Sequence, residues 1–429
     1  MLLAPALSRV IRIGRLTVID TAGATRVYGR EPGPTVTVRL HDPALEWKLV
    51  LRPRLYVPEA YMNGGLTIEE GTLFDLIDLL VTNNPGTAEH SALWIHDGIN
   101  RLLRRLHQYN PVKRARRNVA HHYDLSDQLY DLFLDHDRQY SCAYFRSPDD
   151  DIETAQLNKR RHIAAKLLLR PGQRVLDIGC GWGGMALYLA SECEVEVTGI
   201  TLSEEQHKVA SRRAAAAGLA DRVRFHLRDF REETGAYDRI VSVGMFEHVG
   251  LNQFPIFFRK LHRLLTPDGV ALLHAIGRMD GPGATNPWIR KYIFPGGYSP
   301  ALSEVVPVVE RTKLWITDIE ILRLHYAETL RHWRARFEHN RDRIRALYDE
   351  RFCRMWEMYL IGAEMAFRRD GHLVFQMQLA KRVGSVPLTR DYMVDWERAH
   401  TAPDAVAASA PGMTHIPALI PGYHRVGIE

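Results

Sequence analysis

Cysteine is scarce in this 429-residue chain, and the four that occur show no pattern that would bond them or give them a metal. Cys142, Cys180, Cys193 and Cys353 lie far apart with no C-x-x-C pair, which excludes a disulfide framework and a cysteine-built zinc site. Free thiols in a reducing compartment are expected. Long apolar runs are missing too: none approaches the roughly 18 to 20 residues of a membrane span. The apolar start MLLAPAL is followed at once by Arg9, Arg12 and Arg15, whereas a secretory leader carries its charge first. A cytoplasmic protein, at most peripherally bound to a membrane, is expected. Neither internal repeats nor metal-ligand spacings are found. Strong net charge is also absent, at +5, but the charge is uneven. RLLRRLHQYNPVKRARR, Arg101 to Arg117, holds seven Arg or Lys and no acid. Such a run suits anionic headgroups or nucleic acid, or is a solvated linker.

What is present is an ordinary globular composition, 46% hydrophobic and 25% charged, in a chain long enough for two or three cores. Residues 8 to 58 alternate short β-prone runs with turns (LTVID, TRVYG, TVTVRL, WKLVLRP) and predict a small antiparallel sheet. Residues 67 to 108 carry apolar positions at helical spacing, as in TLFDLIDLLV. Together these form a β-then-α module over residues 1–115. After Pro171-Gly172, five strands (RVLDIG, EVEVTGIT, VRFHLRDF, YDRIVSVG, GVALLHAIG) alternate with helices such as MALYLASEC and EEQHKVASRRAAAAG. This predicts an α/β domain over 116–393 with a doubly wound, mostly parallel sheet and ligands at the carboxyl ends of its strands. Ser203 with Gln206 reads as a capping box, and Gly218 as the residue just past the helix end. The alanine- and proline-rich stretch 394–429 is expected to be a poorly ordered tail.

The most informative segment is RVLDIGCGWGG, Arg174 to Gly184, a short apolar strand entering a glycine turn before a helix. No G-K-[ST] follows, so a nucleoside triphosphate loop is excluded. The second strand ends in GITLSEEQ without an acid at its tip for a ribose, which argues against a dinucleotide site. Asp229, in RDF after the third strand, is placed for an adenine amino group. DIGCGWGG, GITLSEEQ, RDF and SVGMFEHVG, in that order, resemble the class I S-adenosylmethionine-dependent methyltransferases. With HYDLS, YSCAYF, LHAIG, WIRKYIFPGGYSP and HYAETLRHW, the chain more narrowly resembles the cyclopropane-fatty-acyl-phospholipid synthase family over residues 8 to 385.

That resemblance implies a Rossmann-like methyltransferase sheet with a smaller N-terminal α+β domain that handles lipid and forms a homodimer. It implies two small-molecule cofactors, S-adenosyl-L-methionine and bicarbonate, and no metal. A methylene group would pass to the cis double bond of unsaturated acyl chains of membrane phospholipids, and bicarbonate would help remove a proton from the resulting cation. The anion site carries over to Glu247, His274, Tyr326, Cys142 and Ile276. The cofactor site carries over to Tyr140, Ser141, Gly179, Gly181, Gly183, Thr201, Leu202, Gln206, Asp229 and Phe230. Trp182 packs on the cofactor or fills the helix–sheet interface. Some relatives carry a cysteine where this chain has Ala363, and Cys353 does not replace it, so no covalent thiol chemistry is expected. The basic stretch 101–117 would lie at the anionic inner face of the cell membrane. Methylene- or methyl-branched products, and a lipid-binding protein without catalysis, are the alternatives. The N-P-P-Y type of base-binding motif is absent, which argues against a nucleic-acid substrate.

Overall fold

The structure is a computed structural model and describes residues 3–83, 108 and 126–401. Most of the basic stretch 101–117, the HYDLS motif before Ser126 and the tail beyond 401 lie outside the described residues.

The N-terminal unit begins with helix α1 (Ala4–Val10) and strands β1 (Ile13–Ile19), β2 (Thr25–Tyr28) and β3 (Glu31–Leu40). Helices α2 (Leu45–Leu51) and α3 (Pro53–Met62), strand β4 (Leu66–Glu70) and helix α4 (Leu73–Thr82) complete it. The sheet order is β2-β1-β3-β4, and it is mixed rather than antiparallel as expected. β2 folds back on one edge of β1 while β3 returns to the opposite edge, so β1 and β3 run parallel. The run WKLVLRP is a second departure, being helix instead of strand. Leu45 and Leu49, four apart, are its buried residues, while Trp47 and Leu51 stay exposed. Helix α4 starts as its sequence indicates: Thr72 and Asp75 form a reciprocal capping box, and Leu73, Leu76 and Leu79 face the core.

In the larger unit, α5 (Asp127–Phe133) and α6 (Ile152–Leu167) precede β5 (Arg174–Ile178) and α7 (Gly184–Cys193). Then come β6 (Glu196–Thr201), α8 (Glu204–Ala216), β7 (Val223–Leu227), β8 (Tyr237–Val243), α9 (Phe254–Leu264) and β9 (Leu265–Arg278). After α10 (Pro287–Tyr292) and α11 (Leu302–Glu310) follow β10 (Trp315–Leu322), α12 (His325–His339), α13 (Arg341–Leu347), α14 (Glu350–Arg368), β11 (His372–Ala380) and α15 (Asp391–His400). The seven strands lie in the order β10-β11-β9-β8-β5-β6-β7. β5 to β9 are parallel, and β11 is antiparallel to both its neighbours. The sheet is therefore mostly parallel and covered on both faces, which is why β5 is buried continuously over residues 175–178. Strand order reverses between β5 and β8, where a ligand crevice opens.

Ser203 caps α8 by accepting from Gln206 N, but the Gln206 side chain accepts from Thr201 Oγ1 at 2.9 Å instead of completing the box. The first residues of the stretch expected to be a tail, 394–400, are helical instead. Helix α15 spans Asp391–His400 with Met393 buried, and Glu397 contacts His162 of α6. Hydrogen bonds join the two units: Tyr61 donates to Glu357 at 2.8 Å, and Lys291 and Tyr292 both donate to Glu59.

Candidate functional site

A cavity of about 1110 Å3, open mouth included, lies at the carboxyl ends of β5, β6, β7 and β8. Its walls include Gly179 and Gly181 from the glycine turn, Thr201, Leu202 and Gln206 beyond β6, Asp229 and Phe230 beyond β7, and Tyr140 and Ser141 from the loop after α5. Two glycines are required for different reasons. A side chain at Gly179 (φ +84°) would meet Met245 Cβ at 2.6 Å, so that residue lets two loops touch. Gly181 (φ +53°) has nothing within 4 Å of a built Cβ, so a side chain there would enter open space. Gly183 is the one expected cofactor residue outside the lining. Its Cβ position is filled by Phe225 and Ala210, so it serves the packing of helix on sheet.

Asp229 caps the turn after β7 and holds Arg231 through both oxygens, at 2.7 Å each. Trp182 lines the cavity and packs on Tyr130 with ring centroids 4.8 Å apart. Sequence reasoning missed Asp177, which also lines the cavity. Burial raises its carboxyl to about 7, and Oδ2 has no partner among the described residues. It is the only acid of its strand, two residues before the first glycine of the turn, and that position was the available signal.

Beyond the cavity, β8 and β9 carry a second cluster. Val243 pairs with His274, and Glu247 follows in the turn after β8. Glu247 Oε1 accepts from Ile276 N at 2.6 Å, which ties the carboxyl to β9 two residues from His274. Burial raises the Glu247 carboxyl to about 7, the range useful for proton transfer at neutral pH. Burial likewise drives His274 far below its usual value, so its ring is neutral. Glu247 Oε2 and His274 Nε2 are both buried without a partner among the described residues. Buried polar atoms normally pair, so an acceptor and a ring nitrogen left open together fit a small anion that carries a proton.

Cys142 and Tyr326 approach from the helical side. Cys142 is buried beside Ser141, with its thiol pushed up by burial. Tyr326 on α12 packs edge-on against Trp333 and lies 4.8 Å from Phe367. Cys142 and Tyr326 are buried in one large apolar cluster, and Ile276 packs against it. The loop before them is braced by Lys159, fully buried on α6. It donates to Gln139 Oε1 at 2.6 Å and Ser141 Oγ at 2.8 Å. Burial lowers this ammonium to about 8. In sequence it looked like one more charge in NKRRH. Cys353 is core, fully buried, and Ala363 packs at the edge of the same cluster.

The family model described as mycolic acid cyclopropane synthetase matches residues 110–377. The chain is 36% identical over 348 residues to the cyclopropane-fatty-acyl-phospholipid synthase of Escherichia coli, covering 81% of this chain and 88% of that one. It is 41% identical over 337 residues to a tuberculostearic acid methyltransferase of Mycobacterium tuberculosis, covering 75% and 78%. A solved mycolic acid cyclopropane synthase, complexed with SAH and CTAB, aligns with TM-score 0.59 at 34% identity, over 63% of this chain and 99% of that one. Together with the sheet order and the cavity at the strand ends, these matches show that the chain belongs to the cyclopropane synthase family of S-adenosylmethionine-dependent methyltransferases.

Proposed function

We propose that this enzyme converts the cis double bond of unsaturated phospholipid acyl chains to a cyclopropane ring, using S-adenosylmethionine in the cavity and bicarbonate at Glu247 and His274. The observation that carries the reading is the pair of open buried atoms, Glu247 Oε2 in the turn after β8 and His274 Nε2 on β9, where Met245 and His248 of the same turn wall the cavity. S-adenosylmethionine supplies an electrophilic methyl carbon, and bicarbonate supplies a base. Asp177 and the wall residues Gln206 and Asp229 offer polar groups to the cofactor. Glu247, with its carboxyl near 7, would take up and release a proton at neutral pH. His274 and Tyr326 hold the anion as donors, and the apolar cluster around Tyr326 keeps water from the substrate cation. The substrate loses one proton as the ring closes, so the acyl chain gains one CH2 and loses its double bond.

No helix among the described residues is long and apolar enough to cross a membrane. Peripheral attachment through the basic stretch 101–117, and dimerisation through the N-terminal unit, complete the proposal. A second reading, methyl transfer ending in a branched chain, is favoured by the relative named as a tuberculostearic acid methyltransferase. Mass spectrometry of lipids from a host expressing the protein separates the two. One added CH2 with the double bond lost supports the ring, and one added CH2 with an unsaturation kept supports a methylene branch. Unchanged lipids refute both. Activity of the pure enzyme should fall in bicarbonate-free buffer and return when bicarbonate is restored.

A further inference from the structure

The register of the sheet sets His274 against a residue that the proposed chemistry has not used. His274 on β9 and Gln376 on β11 are directly opposed in an antiparallel pair, so their side chains share one face. Gln376 Nε2 lies 3.1 Å from His274 Nδ1, and both side chains are buried. At the other end of the amide, Gln376 Oε1 lies 2.8 Å from Lys166 Nζ on α6. Lys166 is itself buried and also donates to Glu320, which His162 contacts through Nε2 at 2.6 Å.

Each bond in this chain has one permitted direction. An ammonium only donates, so the Gln376 atom beside Lys166 is the carbonyl oxygen, and the NH2 faces His274. An amide NH2 only donates, so Nδ1 of His274 accepts and carries no proton. The neutral ring then carries its hydrogen on Nε2. That nitrogen has no partner among the described residues and lies two residues along β9 from the amide that holds Glu247.

We infer that Lys166 and Gln376 are positioning residues that fix the Nε2–H tautomer of His274 and so make it an obligate donor to the anion. The purpose of this arrangement rests on the proposed function, whereas the tautomer follows from the hydrogen bonds alone. Without Lys166 the amide is free to turn over. Its oxygen would then draw the proton to Nδ1 and leave Nε2 a lone pair facing an anion.

The first test uses the unaltered protein. Nitrogen NMR with isotope-labelled histidine, assigned by a His274→Asn variant, is expected to show one neutral tautomer protonated at Nε2. Protonation at Nδ1, or an imidazolium at neutral pH, overturns the inference even if every variant fails to fold. Lys166→Met and Gln376→Leu are then expected to lower kcat at least about tenfold, the scale on which residues behind a first partner act. KM for lipid and affinity for S-adenosylhomocysteine should not change, and in Lys166→Met, where the Gln376 amide remains to turn over, the Nδ1–H tautomer should appear. Lys166→Arg, which keeps a donor, should restore most of the rate. Folded variants with wild-type kcat overturn the inference. A wild type that makes no lipid product yet shows Nε2–H refutes the functional reading and leaves the tautomer standing. Ring product from a protein whose His274 is protonated at Nδ1 does the reverse.

Discussion

Glu247→Gln tests the site through stability and turnover at once. The amide is isosteric and its oxygen can still accept from Ile276 N, the bond that holds Glu247 at 2.6 Å. What it lacks is the titrating proton. In the folded protein the carboxyl is raised by burial from 4.5 to about 7, which corresponds to a cost of about 3 kcal/mol once the group is ionised. Because the folded value is the higher one, between these two pH values the folded state binds more protons than the unfolded state. Stability therefore falls as pH rises through that window and levels off above it. Gln has no such loss. Chemical denaturation of wild type and variant should agree at about pH 4, where both side chains are neutral, and diverge by about 3 kcal/mol in the variant's favour by pH 8. Turnover should fall by about 100- to 10,000-fold, the range of a lost proton acceptor, with S-adenosylhomocysteine affinity intact by calorimetry. A stability difference that is flat with pH would refute the burial argument, and a fully active variant would refute the site.

Further outcomes follow from other parts of the molecule. Gly181→Val, whose side chain would enter open space at the cavity, should lose S-adenosylhomocysteine binding in calorimetry, with some loss of melting temperature because its φ is positive. Gly179→Ala should lower the melting temperature further, because its Cβ would also strike Met245. Burial works to lower the His162 pKa, but its hydrogen bonds to Glu320 and Glu397 outweigh this and raise it. Its stabilising charge is therefore fully present below pH 6.5 and is lost as pH climbs past the raised value. His162→Leu should free α15, read as faster proteolysis after Ser385 and a melting temperature with less pH dependence. Replacing Arg104, Arg105, Arg114, Arg116 and Arg117 with Ala should reduce co-sedimentation with anionic vesicles, at about 1 kcal/mol per charge, without moving the melting temperature. Retained sedimentation with a lowered melting temperature would assign these arginines to internal ion pairs.

The parts of the fold legible in the sequence are those governed by local pattern. Alternating strand and helix segments gave the parallel sheet, and the glycine turn located the cavity. WKLVLRP failed because Trp47, Leu49 and Leu51 alternate like a strand, while burial of Leu45 and Leu49 follows the helical period. A short apolar run cannot by itself decide between the two. The direction of pairing between β1 and β3 depends on which edge β3 joins, a choice made by distant packing. Helix α15 was hidden because its attachment comes from Glu397 reaching His162, 235 positions away. In the site, Glu247 and His274 were legible through their motifs, and Asp177 only through its place before the turn. Lys159, Lys166 and Gln376 were not legible at all. Buried cations on a helix look in sequence like an exposed charged face, and only tertiary structure distinguishes them.

Helix α6 has a consequence for how the enzyme tolerates its own thermal motion. Lys159 braces the loop bearing Tyr140, Ser141 and Cys142, while Lys166 holds Gln376 and through it His274. The two lysines are seven residues apart, which is two helical turns, about 10.5 Å along one stripe of the helix. Both halves of the proposed reaction centre, the loop at the methyl donor and the imidazole at the base, are thus referred to a single rigid ruler. If the helix shifts as the molecule breathes, the loop at the methyl donor and the imidazole at the base shift with it. The quantity protected is the separation between donor and base rather than the absolute position of either.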